Sequence, residues 1–352
     1  MSLTVLSVAY PFAPVGPDAI GGAEQVLSQL DRALTRAGHR SIVIACEGSE
    51  VAGTHIKVPR SCGVLDQVSM QAARIGHREA IQAALERWPI DVVHMHGLDF
   101  HNYLPRADFP VLVTLHLPVN WYTEDALQPR ANVSLHCVSE AQHGSSDCCP
   151  GFLPPIENGI GEEFFSARHA KRNFALVLAR ICPEKGIHLA IDAAKRAGMP
   201  LLIAGEIFPY EAHQRYFREQ IAPRLDRLRR FIGPAGFRRK RRLLASARCL
   251  LVPSLVAETS SLAAREALAC GTPVIAFQRG ALHETVEHGR TGYLIGDVAE
   301  MTEMLMSIDA INPAECRARA RRFSIEKTIK QYFSVYAALS RAKKHEPFVG
   351  AA

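Results

Sequence analysis

The chain contains two successive series of short, continuously apolar segments, and each segment is followed by a turn and a helical pattern. Continuous hydrophobicity of this kind is typical of strands buried on both faces of a parallel sheet. The first series comprises residues 3–9, 41–46, 91–96, 110–116 and 133–139. The second comprises residues 174–179, 200–205, 230–233, 249–254, 273–277 and 292–295. Two such series, each of five or six strands, predict an α/β protein with two doubly wound domains.

The two series join near Asn158-Gly159, and we expect a first domain over residues 1–165 and a second over residues 166–324. The length of 352 residues agrees with this division, because a domain typically contains about 100 to 200 residues. Residues 24–37 have their apolar side chains on one stripe and precede a glycine, which predicts a crossover helix. A similar stripe predicts a last helix over residues 325–345.

The net charge of +6 is concentrated in one segment. Between Arg224 and Arg248 there are ten Lys and Arg residues and one acidic residue. The basic run RRKRR at 238–242 could bind nucleic acid or make a weak peripheral contact with an anionic membrane. Leu243 and Leu244 follow this run at helical spacing, however, which favours the solvated face of an ordinary helix.

Composition excludes several classes of protein. The chain has no run of about 18 apolar residues and no basic segment at its start, so we expect neither a membrane span nor a signal peptide. Nine cysteines without a CxxC motif indicate reduced thiols, which agrees with a cytoplasmic protein. The adjacent Cys148 and Cys149 could be redox-active, but small buried side chains are the simpler interpretation.

The motifs of several common chemistries are missing. No GxGxxG follows the first strand and no GxxxxGK[ST] occurs, which disfavours dinucleotide and P-loop nucleotide binding. Neither a GxSxG elbow nor an Asp-x-Asp pair is present. His94, His96 and His101 lack a metal-ligand spacing. We therefore predict no metal site and no metal-dependent mechanism.

Ligands of open α/β sheets bind beyond the carboxyl ends of the strands, so the residues after each strand are the candidate site. Gly21 and Gly22, in the sequence AIGGAE, could bring backbone amides close to an anion at a helix N-terminus, or could simply form a tight connection. Arg180 and Lys185, in ARICPEKG, place two cations at the end of the second domain's first strand. Such a pair could neutralise a diphosphate without a metal.

The segment 253–276 combines two carboxylates with a helix N-terminus. Glu258 precedes the helix and Glu266 lies about two turns inside it, and Thr259 or Ser260 could cap the helix. Unpaired first-turn amides would then form an anion site. These amides belong to Ser261, Leu262 and Ala263. Flanking carboxylates suit sugar hydroxyls, because each oxygen can accept a charge-assisted hydrogen bond. The alternative is stabilisation of the helix dipole by Glu258 and a surface position for Glu266.

Two neighbouring strands end in histidine, at His96 and at His116. Since side chains alternate along a strand, His94 and His96 share a face, and His116 ends its strand at the same edge of the sheet. Either terminal histidine could orient an acceptor hydroxyl or a phosphate. A structural role in hydrogen bonding is favoured for His94.

These segments resemble, in order, those of the GT-B glycosyltransferases of family 4, the large retaining group. The resemblance runs from residue 20 to residue 295 and departs from the family at Ser261, where members often have glycine. The matching segments are GGAE, DVVHMHG, VTLH, IENGIGEEFF, RICPEKG, AGE, ETSSLAARE with ALACGTPVIA, and GRTGYL. The family implies two Rossmann-like domains with mainly parallel sheets that face a central cleft. It further implies an acceptor-side first domain, a donor-binding second domain and a last helix that packs back on the first.

The resemblance also implies an activity, which is transfer of a hexosyl or N-acetylhexosaminyl group from a nucleoside diphosphate sugar to a hydroxyl acceptor, with retained anomeric configuration. UDP-sugars are slightly favoured over GDP-sugars as donors, and no cofactor is expected. The implied roles are diphosphate binding for Arg180 and Lys185, ribose binding for Glu266, donor-sugar contacts for Glu258 and the first-turn amides, phosphate contact for Gly22, and contact with the reacting sugar for His116. The groups predicted to act in catalysis are His116, Arg180, Lys185 and Glu258, with His96 as an acceptor-side candidate.

Two other functions stay open. A nucleotide-sugar epimerase or hydrolase could have the same architecture, because a fold does not determine a reaction. A nucleic-acid or membrane binding module would rest on the basic segment 224–248 alone, which lacks aromatic residues at the spacing such modules use. The nucleotide base, the sugar and the acceptor have no readable sequence code.

Overall fold

The computed structural model describes residues 2–60, 65–105, 109–145 and 151–345. Cys148 and Cys149 lie outside the described residues. The chain divides into two compact units. Unit 1 consists of the described residues up to Glu157 together with those from Glu326 onward, and unit 2 is Asn158–Ile325. The division is a few residues earlier than expected from the sequence, and nearly all of the last helix is part of unit 1.

Each unit contains a six-stranded, all-parallel sheet. The strands of unit 1 are β1 (Thr4–Val8), β2 (Arg40–Cys46), β3 (Thr54–Val58), β4 (Val92–Met95), β5 (Val111–Leu115) and β6 (Val133–Cys137), in the order β3-β2-β1-β4-β5-β6. Those of unit 2 are β7 (Ala175–Leu178), β8 (Leu201–Ala204), β9 (Arg229–Phe231), β10 (Cys249–Val252), β11 (Val274–Phe277) and β12 (Gly292–Ile295), in the order β12-β11-β10-β7-β8-β9. Both orders are that of the doubly wound Rossmann fold, as the sequence predicts.

Helices connect the strands. The first four are α1 (Gly22–Arg36), α2 (Gln67–Arg87), α3 (Glu124–Leu127) and α4 (Glu140–Gly144). Those of unit 2 are α5 (Glu162–Phe165), α6 (Ile187–Arg196), α7 (Glu211–Tyr216), α8 (Phe237–Ser246), α9 (Leu262–Ala269), α10 (Leu282–Thr285), α11 (Val298–Ser307) and α12 (Pro313–Ala320). The last, α13 (Ile325–His345), begins at the boundary between the units. No helix of the described part of the chain is both long and apolar enough to span a bilayer.

The last helix is fixed to unit 1 by buried polar contacts as well as apolar packing. The hydroxyl of Tyr336 lies 2.7 Å from Nδ1 of His94, and that of Tyr332 lies 3.1 Å from the hydroxyl of Thr114. Both tyrosines are fully buried. Such contacts satisfy the polar atoms of the sheet that α13 covers, so the helix completes the unit although it is far away in sequence.

The cores agree with the pattern of the sequence. The strands β2, β4 and β5 are almost completely buried, as expected for continuous apolar segments between helical layers. Six cysteines are free and buried, in agreement with reduced thiols. They are Cys46, Cys137, Cys182, Cys249, Cys270 and Cys316.

Candidate functional site

The loop that follows β7 contains both cations predicted to bind a diphosphate. Arg180 lies in this loop and Lys185 is the last residue of a 3₁₀ helix, Pro183–Lys185. The next residue, Gly186, has φ = 58°, and a Cβ atom at this position would collide with the carbonyl oxygen of Pro253. Only glycine combines this backbone conformation with so close an approach. The loop after β7 therefore lies directly against the loop after β10.

Backbone hydrogen bonds fix both loops. The amide of Leu255 donates to the carbonyl oxygen of Glu184 at 2.8 Å, which joins the loop after β10 to the loop after β7. The amide of Ala281 donates to the carbonyl oxygen of Glu258 at 2.7 Å. Because β7 and β10 are neighbours in the sheet, residues that are far apart in sequence meet at one edge.

Lys185 and Glu258 form an ion pair across these loops. Nζ of Lys185 lies 2.6 Å from Oε1 of Glu258, and the two side chains are 22% and 9% exposed. Burial acts to raise the pKa of Glu258, but the Lys185 ammonium, a hydrogen bond from Ser254 and the charge of Arg180 together lower it. The structure therefore brings Arg180, Lys185 and Glu258 into one electrostatic environment, with Glu258 ionised at neutral pH.

The helix after this loop begins later than the sequence suggested. Its N-cap is Ser261, not Thr259 or Ser260, and the Ser261 side chain makes no capping hydrogen bond. Ser261 has φ = 48° and is the one non-glycine residue with positive φ among those described. This left-handed conformation favours glycine at position 261, since it costs a residue with a Cβ roughly 1 to 2 kcal/mol.

The start of α9 presents the predicted backbone donors. Within the described residues, no acceptor contacts the amides of Ser261, Leu262 and Ala263. The Oγ atom of Ser260 is also buried without a hydrogen-bond partner there. Unpaired amides and the helix dipole favour an anion at this position.

Glu266 is buried rather than on the surface, and it forms an ion pair with Lys240 that the sequence does not predict. Oε1 of Glu266 lies 2.6 Å from Nζ of Lys240, and both side chains are less than 10% exposed. Burial raises the pKa of Glu266, an effect that the Lys240 ammonium opposes. Lys240 belongs to the basic run assigned to a solvated helix face, which is correct for exposed Arg238 and Arg239 but wrong for Lys240.

The paired glycines of unit 1 form the start of α1. Gly21 is the N-cap, with φ = −77°, and Gly22 is the first residue of the helix. A Cβ atom on Gly21 would collide with the carboxylate of Glu24, which is 7% exposed. The glycine therefore makes room for an acidic side chain in the first turn, where it stabilises the helix dipole.

The two terminal histidines of unit 1 lie together. Nδ1 of His96 is 3.0 Å from Nε2 of His116, and the rings are stacked. Burial lowers the pKa of His116 to about 3, with a further contribution from His136. His94 is buried between Tyr336 and Thr114, so it has the structural role favoured by the sequence.

Comparison with known proteins identifies the family. Residues 160–323 match the family model of the glycosyl transferases group 1, and residues 20–149 match that of glycosyltransferase family 4. These two matches cover most of unit 2 and of unit 1, respectively.

Relatives agree with the family models over nearly the whole chain. Glycogen synthase of Mycobacterium tuberculosis is 29% identical over 91% of this chain and 89% of its own length. Sucrose-phosphate synthase of Thermosynechococcus elongatus has a similar structure, with a TM-score of 0.75, 21% identity and coverage of 96% of this chain and 100% of that chain. Anabaena HepE in complex with UDP-glucose gives a TM-score of 0.72, 19% identity and coverage of 96% and 100%. The chain belongs to the group 1 glycosyltransferases and has their GT-B fold.

Proposed function

We propose that this glycosyltransferase moves a hexosyl or N-acetylhexosaminyl group from a nucleoside diphosphate sugar to a hydroxyl acceptor, with retention and without an essential metal. The main support is the Lys185–Glu258 pair, which lies beside Arg180 and ahead of the unpaired amides of α9. Two fixed cations and a helix N-terminus can neutralise the charge that develops on a leaving diphosphate.

The Lys185 ammonium has N–H donors that its ion pair with Glu258 does not use. A lysine ammonium has three N–H donors, and Glu258 accepts from one of them at 2.6 Å. In this proposal the other two N–H donors of Lys185 contact phosphate oxygens, while Glu258 holds the side chain in place. In this proposal Glu258 both positions Lys185 and contacts the donor sugar. Charge-assisted contacts that are already oriented need no reorganisation during the reaction, which is how such groups lower an activation barrier.

Glu266 is proposed to bind the ribose of the donor. Its carboxylate has a second oxygen, Oε2, besides the one that Lys240 contacts. A carboxylate can accept from two hydroxyls, and the Lys240 ammonium keeps it available for this role by opposing protonation. Leu262 and Ala263 are proposed to donate their amides to the donor, as is the backbone at Ser261.

In unit 1, His116 is proposed to contact the reacting sugar, with His96 on the acceptor side and with Gly21 and Gly22 contacting phosphate, as the family resemblance implies. The pKa of His116, lowered to about 3 by burial, keeps the imidazole neutral at pH 7. A neutral imidazole can donate one hydrogen bond and accept another, which suits the orientation of a hydroxyl.

UDP-sugars are the first donors to test, since a structural neighbour, HepE, is known with UDP-glucose. The assay incubates the chain with each nucleotide sugar and a panel of hydroxyl acceptors in excess EDTA. Nuclear magnetic resonance of the product then determines the anomeric configuration. Retention in EDTA supports the proposal. Inversion contradicts the proposed retention, and a requirement for Mg²⁺ or Mn²⁺ contradicts the proposed metal-free reaction. Turnover of donor without acceptor favours an epimerase or hydrolase.

A further inference from the structure

A cysteine, a glutamate and a histidine converge beside the loop after β7. Cys182 precedes the 3₁₀ helix of this loop, Glu184 lies within it, and His213 lies in α7. One ligand atom from each residue lies within 4.8 Å of the other two. The glycosyltransferase chemistry proposed above uses none of these three side chains.

The three groups are held in place by the fold. Cys182 is 2% exposed, and its thiol lies 3.7 Å from the carbonyl oxygen of Arg180. The carbonyl oxygen of Glu184 accepts from Leu255, which fixes the backbone at that residue. The imidazole of His213 packs edge-on against Tyr210, with ring centroids 5.0 Å apart. Nδ1 of His213 is buried and has no hydrogen-bond partner within the described residues, although an imidazole nitrogen that is buried normally has one.

We propose that Cys182, Glu184 and His213 form a binding site for Zn²⁺. A thiolate, a carboxylate and a neutral imidazole are the three ligand types that zinc prefers, and three protein ligands leave a fourth position for water. Two anionic ligands also balance the charge of a divalent ion, which lowers the cost of burying it near Arg180. A buried nitrogen without a partner in the absence of metal gains one when the ion binds.

Metal binding at this site is coupled to loss of a proton. Zinc binds the thiolate form of cysteine, whereas a thiol as buried as that of Cys182, which is 2% exposed, is protonated when no metal is bound. Zinc binds the neutral form of an imidazole, so His213 releases no proton at pH 8. Formation of the Zn–S bond therefore breaks the S–H bond and transfers one proton to the buffer. Calorimetry in two buffers of different ionisation enthalpy measures this proton directly.

Cobalt provides the spectroscopic test. Untagged full-length protein, reduced and freed of metal by EDTA, is titrated with Co²⁺ and the near-ultraviolet thiolate-to-cobalt charge-transfer band is recorded. We expect one Co²⁺ per chain, displacement by one Zn²⁺, and release of one proton at pH 8. Cys182→Ser should abolish the band, and His213→Gln, at a partly exposed position, should weaken Co²⁺ affinity at least tenfold.

Two control variants test whether this site is responsible. Cys46→Ser removes a buried cysteine of unit 1, and His169→Gln removes an exposed histidine of unit 2. Both should keep the band and the affinity. A band that persists in Cys182→Ser, or an affinity that is unchanged in His213→Gln, would overturn the proposal. Loss of sugar transfer in EDTA would instead contradict the proposed metal-free reaction. The outcome for the zinc site can therefore be distinguished from the outcome for the proposed function.

Discussion

Lys240 and Glu266 form a buried ion pair between α8 and α9, with 2.6 Å between Nζ and Oε1. The ammonium of Lys240 also lies 5.2 Å from the ring centroid of Phe164. A buried carboxylate without a counter-charge is costly, so the pair determines whether Glu266 stays ionised. The residue proposed to bind ribose is therefore supported by a lysine from a different helix.

Replacement of this lysine should destabilise unit 2. Lys240→Met leaves Glu266 buried without its counter-charge, and we expect a loss of about 3 to 5 kcal/mol in the free energy of unfolding. The measurement is the urea transition followed by far-ultraviolet circular dichroism. Arg239→Met, at an exposed position of α8, should change it by less than about 0.5 kcal/mol. The double variant Lys240→Met/Glu266→Gln should recover part of the loss, and additive losses would contradict a coupled pair.

The two glutamates of the proposed donor site should affect different kinetic constants. Glu266→Gln removes a contact that we expect in both ground and transition states, so KM for the donor should rise while kcat changes little. Glu258→Gln disturbs Lys185, which we expect to act as charge develops on the diphosphate, so kcat should fall. Steady-state kinetics with varied donor distinguishes them. The same pattern in both variants, or a loss of kcat confined to Glu266→Gln, would show that the roles are wrongly assigned.

The sheets could be predicted from the sequence because most strands are continuous apolar segments. The strand that this pattern does not predict is β3, which lies at the edge of its sheet and has four of its five residues, Thr54–Lys57, at least partly exposed. An edge strand is not buried on both faces, so it lacks the pattern that identified its neighbours. The two units meet at residue 158, which is where the two series of strands join in the sequence, whereas the expected domains meet at residues 165 and 166.

The site could be predicted only in part. Lys185 and Glu258 are 73 residues apart, but both follow strands that are neighbours in a doubly wound sheet, so their proximity follows from the fold class. The pairing of Lys240 with Glu266 does not follow from the fold class. Lys240 is one of five consecutive basic residues, and the sequence does not indicate which of the five is buried when the helices pack. The left-handed conformation of Ser261 could not be predicted from the sequence either, although the resemblance singles out this position because family members often have glycine there.

Relief of backbone strain at the start of α9 should stabilise the protein. At φ = 48°, Ser261 is strained by its Cβ, so Ser261→Gly should raise the free energy of unfolding by about 0.5 to 1 kcal/mol after the entropic cost of glycine. Ser307→Gly is the matched control, since Ser307 is exposed at the end of α11 with φ = −99°. It should lower the same free energy by about 0.5 to 1 kcal/mol. Equal effects at the two positions would contradict the assigned strain.

Acid should destabilise unit 1 through its buried histidines. Burial lowers the pKa values of four imidazoles below 6.5, so the unfolded state binds more protons as the pH falls below that value. They are His94, His96, His116 and His136. Stability should therefore be complete above pH 6.5 and fall below it, by about 1 kcal/mol per histidine between pH 6.5 and pH 5.5.

Tryptophan fluorescence isolates this effect, because both tryptophans, Trp88 and Trp121, lie in unit 1. His136→Asn should reduce the pH dependence of unfolding by about one histidine's share. Val113→Ala, at a buried position of the same sheet, should lower stability at every pH and leave the slope unchanged. An unchanged slope in His136→Asn would show that the buried histidines do not cause acid destabilisation.

The central claim is that Arg180 and Lys185 bind the diphosphate of a nucleotide sugar without a metal, and thermal shift in EDTA tests it most directly. A ligand at 100 times its dissociation constant stabilises the folded state by about 2.7 kcal/mol, so UDP, GDP or ADP should raise the unfolding temperature of the wild-type protein. Lys185→Ala and Arg180→Ala should each lose most of this shift, since loss of a hydrogen bond to a charged group weakens binding by about 1.5 to 3 kcal/mol. Lys195→Ala, at an exposed position of α6, should keep it. If none of the three nucleotides raised the unfolding temperature, or if the shift survived in both site variants, the assignment of the donor site would be wrong.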